Sequence, residues 1–267
     1  MRDAQDVFRA MTVKRVTDLE PQLANCRAYW LGWGAADRAD GDLTYYRSGL
    51  GNGQLNGVLR LRGSDEGEVG RALAEAKGAL AGVPWLWWVG PDSAPGVADG
   101  LLERGAESLG AMPVMAVALD RVADVTGPPE LTIETVEGAE SLTEWVRAYS
   151  PSFAMGPELV DDAVRVEAGR EDASRIVRLT ARLEGQAVGT ALMLDAHGVA
   201  GIYVVATVED YRRRGIGAVL TAAALKTGRQ RGLHIGTLQA SGLGASVYAR
   251  MGFEKVAEYQ LFQPPAP

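Results

Sequence analysis

Residues 211–217 read Tyr-Arg-Arg-Arg-Gly-Ile-Gly. Arg212, Arg213 and Arg214 carry guanidinium groups, whose planar fork suits phosphate and carboxylate. Gly215 and Gly217 have no Cβ, so the backbone beside them can approach a ligand closely. The segment follows the apolar run Val-Ala-Gly-Ile-Tyr-Val-Val-Ala-Thr (199–207) and precedes a helical pattern, Ala-Val-Leu-Thr-Ala-Ala-Ala-Leu-Lys (218–226). A strand ending in a glycine loop that opens a helix leaves the first helical N–H groups without intrahelical partners. The helix dipole adds partial positive charge there, and the combination suits a pyrophosphate. The plainer alternative is a solvated arginine run with a chance Gly-x-Gly; the strand before it and the patterned helix after it favour the ligand loop.

The rest of the composition narrows the chemistry. A net charge of -7 and a pI near 5.0 argue against nucleic acid as a partner, so the basic run is a local device. Cys26 is the one cysteine, which suits a reducing cytoplasm. The polar start reads as lacking a signal peptide, and no apolar run is long enough for a membrane span. The histidines are His197 and His234, and neither a His-Glu-x-x-His nor a cysteine pair is present. No metal site is therefore expected. Nucleophile-elbow and Walker motifs are also absent. Gly49-Leu-Gly-Asn-Gly53 reads as a hairpin turn between Tyr45-Tyr46 and Val58-Leu59.

Gly127-Pro128-Pro129 continues neither a helix nor a central strand, so the chain divides into 1–126 and 127–267. In the second half, 131–136 alternates as a strand. Ser141-Leu-Thr-Glu144 fits a capping box opening a helix, and Pro157 suits the first turn of another. Residues 175–183 and 186–194 form a hairpin about Glu184-Gly185. After the 199–207 strand, Ile216, Leu220, Ala223, Ala224 and Thr227 mark the inner stripe of a helix. A strand at 234–241, a short helix at 245–253 stopped by Gly252, and a closing strand from Lys255 complete it. The first half reads as strands at 43–47 and 57–62, a helix at 66–81, a strand at 85–90, a helix at 96–110 and a strand at 112–119. This order is loosely like that of the second half. Its own stretch after Trp87-Trp88-Val-Gly-Pro91 is Asp-Ser-Ala-Pro, without arginines or Gly-x-Gly.

The motif Arg-x-x-Gly-x-Gly (212–217), followed by Ser-Gly-Leu-Gly-Ala-Ser-Val-Tyr-Ala-Arg-Met-Gly-Phe (241–253), resembles the GCN5-related N-acetyltransferases (GNATs). The resemblance covers roughly residues 130–262 and is weak in the first half; bipartite members with a degenerate N-terminal half occur. It implies the acyl-CoA N-acyltransferase fold in two tandem copies: α+β or α/β, with a mixed, mostly antiparallel central sheet flanked by helices.

It further implies that Val205, Ala206 and Thr207 contact acetyl-CoA through their backbone, where a bulge splays two parallel strands. The N–H groups of Arg213, Arg214, Gly215, Ile216, Gly217 and Ala218 would hold the pyrophosphate, with Arg212 beside them. Tyr248 matches the general acid of the family, protonating the departing thiolate; the alternative is a packing role. Ser241 stands where asparagine is typical, and Glu209 where proline often precedes the arginines. The 199–207 strand lacks the glutamate many members use as base, so no base is assigned. Tyr203 reads as packing, Glu158 and Asp161 as a solvated helix face, and Phe153 and Met155 as core or pocket wall. Trp85, Trp87 and Trp88 read as interface packing or, alternatively, a wall for a cationic amine.

The leading expectation is an acetyl-CoA-dependent N-acetyltransferase acting on a primary amine of a small molecule or protein. A non-catalytic acyl-CoA-binding module is the second, and nucleotide binding the third. A homodimer is left open.

Overall fold

The computed structural model describes residues 13–63, 67–122 and 124–265. Its first helix, α1 (Leu19–Leu31), buries Gln22, Asn25 and Arg27 along with Leu23, Cys26, Tyr29 and Trp30, so no apolar stripe marks it in the sequence. Strands β1 (Asp37–Asp40), β2 (Leu43–Arg47) and β3 (Asn56–Leu61) follow. The expected hairpin forms, with Tyr45 opposite Val58. The buried Asn56 holds its loop: the side-chain oxygen accepts from Ser48 N (2.9 Å), and the nitrogen donates to Leu50 O (2.9 Å) and Asn52 O (3.0 Å). Helix α2 (Glu68–Ala79), strand β4 (Leu86–Val89), helix α3 (Val97–Glu103) and strand β5 (Glu107–Ala118) complete the first half. Residues 107–110 belong to β5 and not to the preceding helix, because Gly105 turns left-handed (φ 83°) and ends α3.

The second half contributes β6 (Thr132–Thr135), α4 (Gly138–Tyr149), α5 (Val160–Ala168), β7 (Ile176–Leu183), β8 (Gln186–Ala196), β9 (Val199–Thr207), α6 (Ile216–Gln230), β10 (Ile235–Gln239), α7 (Ala245–Arg250) and β11 (Glu254–Gln263). The capping box at Ser141 is not formed. Helix α4 starts one turn earlier, and Ser141 Oγ bonds back to Glu137 O (2.5 Å) within it. Pro157 instead opens a 3₁₀ turn leading into α5. The β7–β8 turn is as expected: Glu184 and Gly185 are both left-handed (φ 52° and 78°), the geometry that matches strand twist. On α6 the buried stripe is Ile216, Leu220, Thr221, Ala224, Leu225 and Gly228, while Ala223 and Thr227 are half-buried.

All eleven strands described form one sheet, in the order β1-β2-β3-β4-β11-β5-β10-β9-β8-β7-β6. Strands β5 and β11 cross between the halves. β11 lies between β4 and β5, and β5 lies between β11 and β10. Helices α1, α4 and α5 cover one face, while α2, α3, α6 and α7 cover the other.

Helix α1 binds the halves together. Asn25 Nδ2 lies 2.9–3.2 Å from the carbonyls of Leu194, Ala196 and Val199, and Asn25 Oδ1 accepts from the Tyr203 hydroxyl (2.7 Å). Gly201 leaves room for this amide: a Cβ there would stand 1.9 Å from Asn25 Oδ1. Tyr29 stacks on Tyr203 at 3.8 Å, and Thr237 Oγ1 donates to Gln22 Oε1 (3.2 Å). Trp88 packs against Trp30 and against Tyr259 of β11, whereas Trp85 and Trp87 join the core under α2 and α3. The tryptophans are therefore packing residues, and Trp88 packs across the two halves.

Cys26 is 1% exposed, and burial pushes its thiol up to about 12. A thiolate is the reactive form, so the native protein should not react with a disulfide reagent at pH 8. One thiol per chain should appear on adding guanidinium; labelling of the native protein would show that this core opens. Among the described residues no helix is long and apolar enough to cross a membrane.

Candidate active site

The site begins with a break in β9. Its parallel pairing with β10 is confined to Gly236↔Ala200 and Thr237↔Gly201, although β9 continues to Thr207 and β10 to Gln239. On the other side, the β8 register slips between Thr190↔Ala206 and Leu192↔Tyr203, which sets Val204 and Val205 opposite Ala191 alone. Val204 has φ 53°, a strained conformation for a β-branched residue. The fully buried Thr190 holds it there, its hydroxyl donating to Val204 O (2.8 Å). A bulge increases local twist and turns the strand away from its neighbour. The two parallel strands thus open into a slot beside Val205, Ala206 and Thr207, with the bulge one residue earlier, at Val204–Val205.

The arginine loop closes one end of this slot. A 3₁₀ turn (Glu209–Tyr211) leads to Arg213, which is left-handed (φ 64°), and to Gly215 (φ 79°), the residue preceding α6. The helical ladder starts with Val219 N donating to Gly215 O (3.1 Å), so the N–H groups of Ile216, Gly217 and Ala218 lie before it, unclaimed by helix geometry. A Cβ on Gly217 would lie 3.6 Å from Thr207 Oγ1 and 3.8 Å from Val205 Cγ1, in ordinary contact and directed at the slot. Two of the arginines brace the loop: Arg212 Nε donates to Thr207 O (3.2 Å), and Arg214 donates to Asp210 O (3.3 Å) with its guanidinium over the Tyr211 ring. Glu209 is exposed, so it adds little repulsion toward an anion.

Tyr248 reaches the same end from α7. Its ring packs beside Gly244, where a Cβ would stand 2.9 Å from Cε2, and against Phe253 at 5.7 Å between centroids. Burial beside Thr221 of α6 pushes the phenol up to about 12. Thr221 in turn donates to Gly217 O (2.8 Å). The phenol thus lies beside the first turn of α6 and keeps its proton at neutral pH. Thr221 is not flagged by the sequence; its signal is a polar residue inside an apolar stripe, one turn after Gly217. Ser241, exposed, accepts from Gly244 N at Oγ (3.2 Å) and so supports the turn into α7.

Other candidates lie elsewhere. His197 sits in the β8–β9 turn and His234 just before β10, at the ends of those strands opposite the loop. Glu158 and Asp161 are exposed, and Tyr203 packs on Tyr29. Met155 is buried and Phe153 meets the Tyr149 ring edge-on, while Asn52 of the β2–β3 loop donates to Phe153 O (2.9 Å). Strand β9 carries no acid.

The first-half counterpart of the loop is not at Asp92. Strands β3 and β4 pair in parallel across α2, as β9 and β10 do across α6. The segment equivalent to 211–217 is therefore 62–67, Arg-Gly-Ser-Asp-Glu-Gly, with Glu68 next. The end of β3 is tied down, Ala94 N donating to Leu61 O (2.7 Å).

Residues 139–253 match the model of the acetyltransferase (GNAT) family. The GNAT match thus lies within the second half. A mycothiol acetyltransferase of Thermomonospora curvata is 29% identical over 210 residues, covering 74% of this chain and 69% of that protein. A GCN5-related N-acetyltransferase from Kribbella flavida superposes with a TM-score of 0.71 at 21% identity, over 97% of this chain and 98% of that one. A tandem GNAT protein from the clavulanic acid biosynthesis pathway gives 0.56 at 14% identity, over 96% and 99%. These likenesses extend over both halves, and the mixed, mostly antiparallel sheet with helices on both faces is the GNAT fold expected from the sequence.

Proposed function

We propose that this chain is a GNAT protein and transfers the acetyl group of acetyl-CoA to a primary amine. The observation carrying this reading is the slot between β9 and β10, with the open first turn of α6 at its mouth and the Tyr248 phenol beside that turn. The pyrophosphate would rest on the N–H groups of 213–218, and the thioester would lie in the slot along Val205–Thr207. A neutral amine attacks the thioester carbon, and the C–S bond breaks. The sulfur takes the Tyr248 proton, while the amine proton leaves to solvent. The first half, 1–126, is a degenerate copy without phosphate chemistry, since its loop carries Asp65, Glu66 and Glu68. Similarity to a mycothiol acetyltransferase makes mycothiol-related amines the first acceptors to test. The absence of an acid on β9 supports the second reading, an acyl-CoA-binding module without turnover.

Acetyl-CoA at about 100 times its dissociation constant should stabilise the fold by about 2.7 kcal/mol, a thermal shift of several degrees. Thiol release with an amine panel then separates the readings, and the buried Cys26 adds no background. No thermal shift overturns acetyl-CoA binding. A shift without release from any amine supports the binding module, and a larger shift with ATP supports nucleotide binding.

A further inference from the structure

We infer that Gln239 is a second donor to the acyl carbonyl oxygen, set opposite the backbone of the β9 bulge. This rests on the acetyl-transfer reading. Gln239 is the last residue of β10 and lies two positions beyond the final β9–β10 rung, Thr237↔Gly201. One neighbour is Val114 of β5; on the other side the strand faces the slot. Side chains alternate along a strand. Leu238 packs in the α6 core, whereas Thr237 bonds Gln22 of α1, so Gln239 points to the α1 face. Its Nε2 is buried and has no hydrogen-bond partner among the described residues.

Buried donors in folded proteins are mostly paired; the indole nitrogens of Trp30, Trp33, Trp87 and Trp88 are also unpaired among the described residues, and Gln239 Nε2 differs from them in belonging to the strand end that borders the slot. The thioester oxygen is the acceptor atom that every turnover would bring into the slot. Its negative charge grows as the amine attacks, and a fixed neutral donor in a dry site stabilises it without reorganising. Tyr248 approaches from the α6 face, beside the sulfur, so a donor on the α1 face leaves the two roles on separate sides of the thioester. A carboxylate at this position would repel the developing charge, whereas glutamine donates without it.

The test compares binding of acetyl-CoA and S-ethyl-CoA, which lacks the carbonyl oxygen, to wild type and to Gln239→Met. The wild type should prefer acetyl-CoA, and Gln239→Met should reduce that preference about fivefold, the value of one neutral hydrogen bond. Affinity for S-ethyl-CoA should not change. The melting temperature of the ligand-free variant should hold or rise, because an unpaired buried donor has been removed. An unchanged preference with a lowered melting temperature assigns Gln239 to packing and overturns the inference. Failure of the wild type to bind either coenzyme overturns the acetyl-transfer reading, and this assignment with it.

Discussion

Gly217→Ala is expected to leave the protein folded while weakening acetyl-CoA binding by about a hundredfold or more. The added Cβ meets the protein only at ordinary distances, 3.6 Å and 3.8 Å, so nothing in the fold resists it. Alanine also loses less backbone freedom than glycine in a helix, a gain of up to about 1 kcal/mol. The methyl, however, stands between the first turn of α6 and the end of β9, where the pyrophosphate would lie. Displacing it forfeits two or more hydrogen bonds to a charged group, each about 1.5–3 kcal/mol. Gly215→Ala is the contrasting variant. At φ 79° an alanine costs about 1–2 kcal/mol, so this change should lower the melting temperature as well as affinity. Calorimetric titration beside a thermal scan checks both. If Gly217→Ala binds acetyl-CoA like the wild type, the phosphates do not rest on α6.

The loop and its flanks were legible because each carries a local signal. The 199–207 run is apolar throughout and is β9 from end to end, and Glu184-Gly185 between two alternating segments could hardly be other than a tight turn. Arginines next to glycines advertise an anion site. Their separate tasks are not legible: the sequence cannot tell that Arg212 and Arg214 bond to their own loop. Nor does local pattern reveal which strands become neighbours, so the interleaving of β5 and β11 across the Gly-Pro-Pro boundary is invisible before the fold is seen. Helix α1 escapes for a related reason. Its buried faces contact two different layers and include Gln22 and Asn25, each of which reaches a partner more than 150 residues away, so it shows no single apolar stripe. Val204 gives no sign of its strain, since a valine in an apolar strand looks ordinary until Thr190 pulls its carbonyl round. Gln239 likewise is one polar residue at a strand end, and its interest comes only from an unpartnered nitrogen.

Tyr248→Phe should lower kcat by about 10²–10⁴, the usual value of a positioned acid, with acetyl-CoA affinity changed less than about twofold. Phenylalanine keeps the ring packing against Gly244 and Phe253 and loses only the hydroxyl, a stability change of about 1 kcal/mol or less. The pH profile carries a further signature. With its phenol held up at about 12, the wild type retains its acid through pH 10, where an ordinary tyrosine would already be half ionised. Its rate should therefore keep rising with pH as the acceptor amine loses its proton, with no alkaline fall below pH 10. Stability runs the other way. Tyr248 has a higher pKa folded than unfolded, so its contribution is complete below about 10 and is lost as pH climbs toward about 12. Tyr248→Phe should remove that part of the alkaline loss while carrying its own constant deficit. Full kcat in Tyr248→Phe, with the same acetyl-CoA affinity, would mean that solvent protonates the thiolate. The ring would then serve only to pack beside the first turn of α6, and catalysis would rest on the geometry of the slot and the donors that line it.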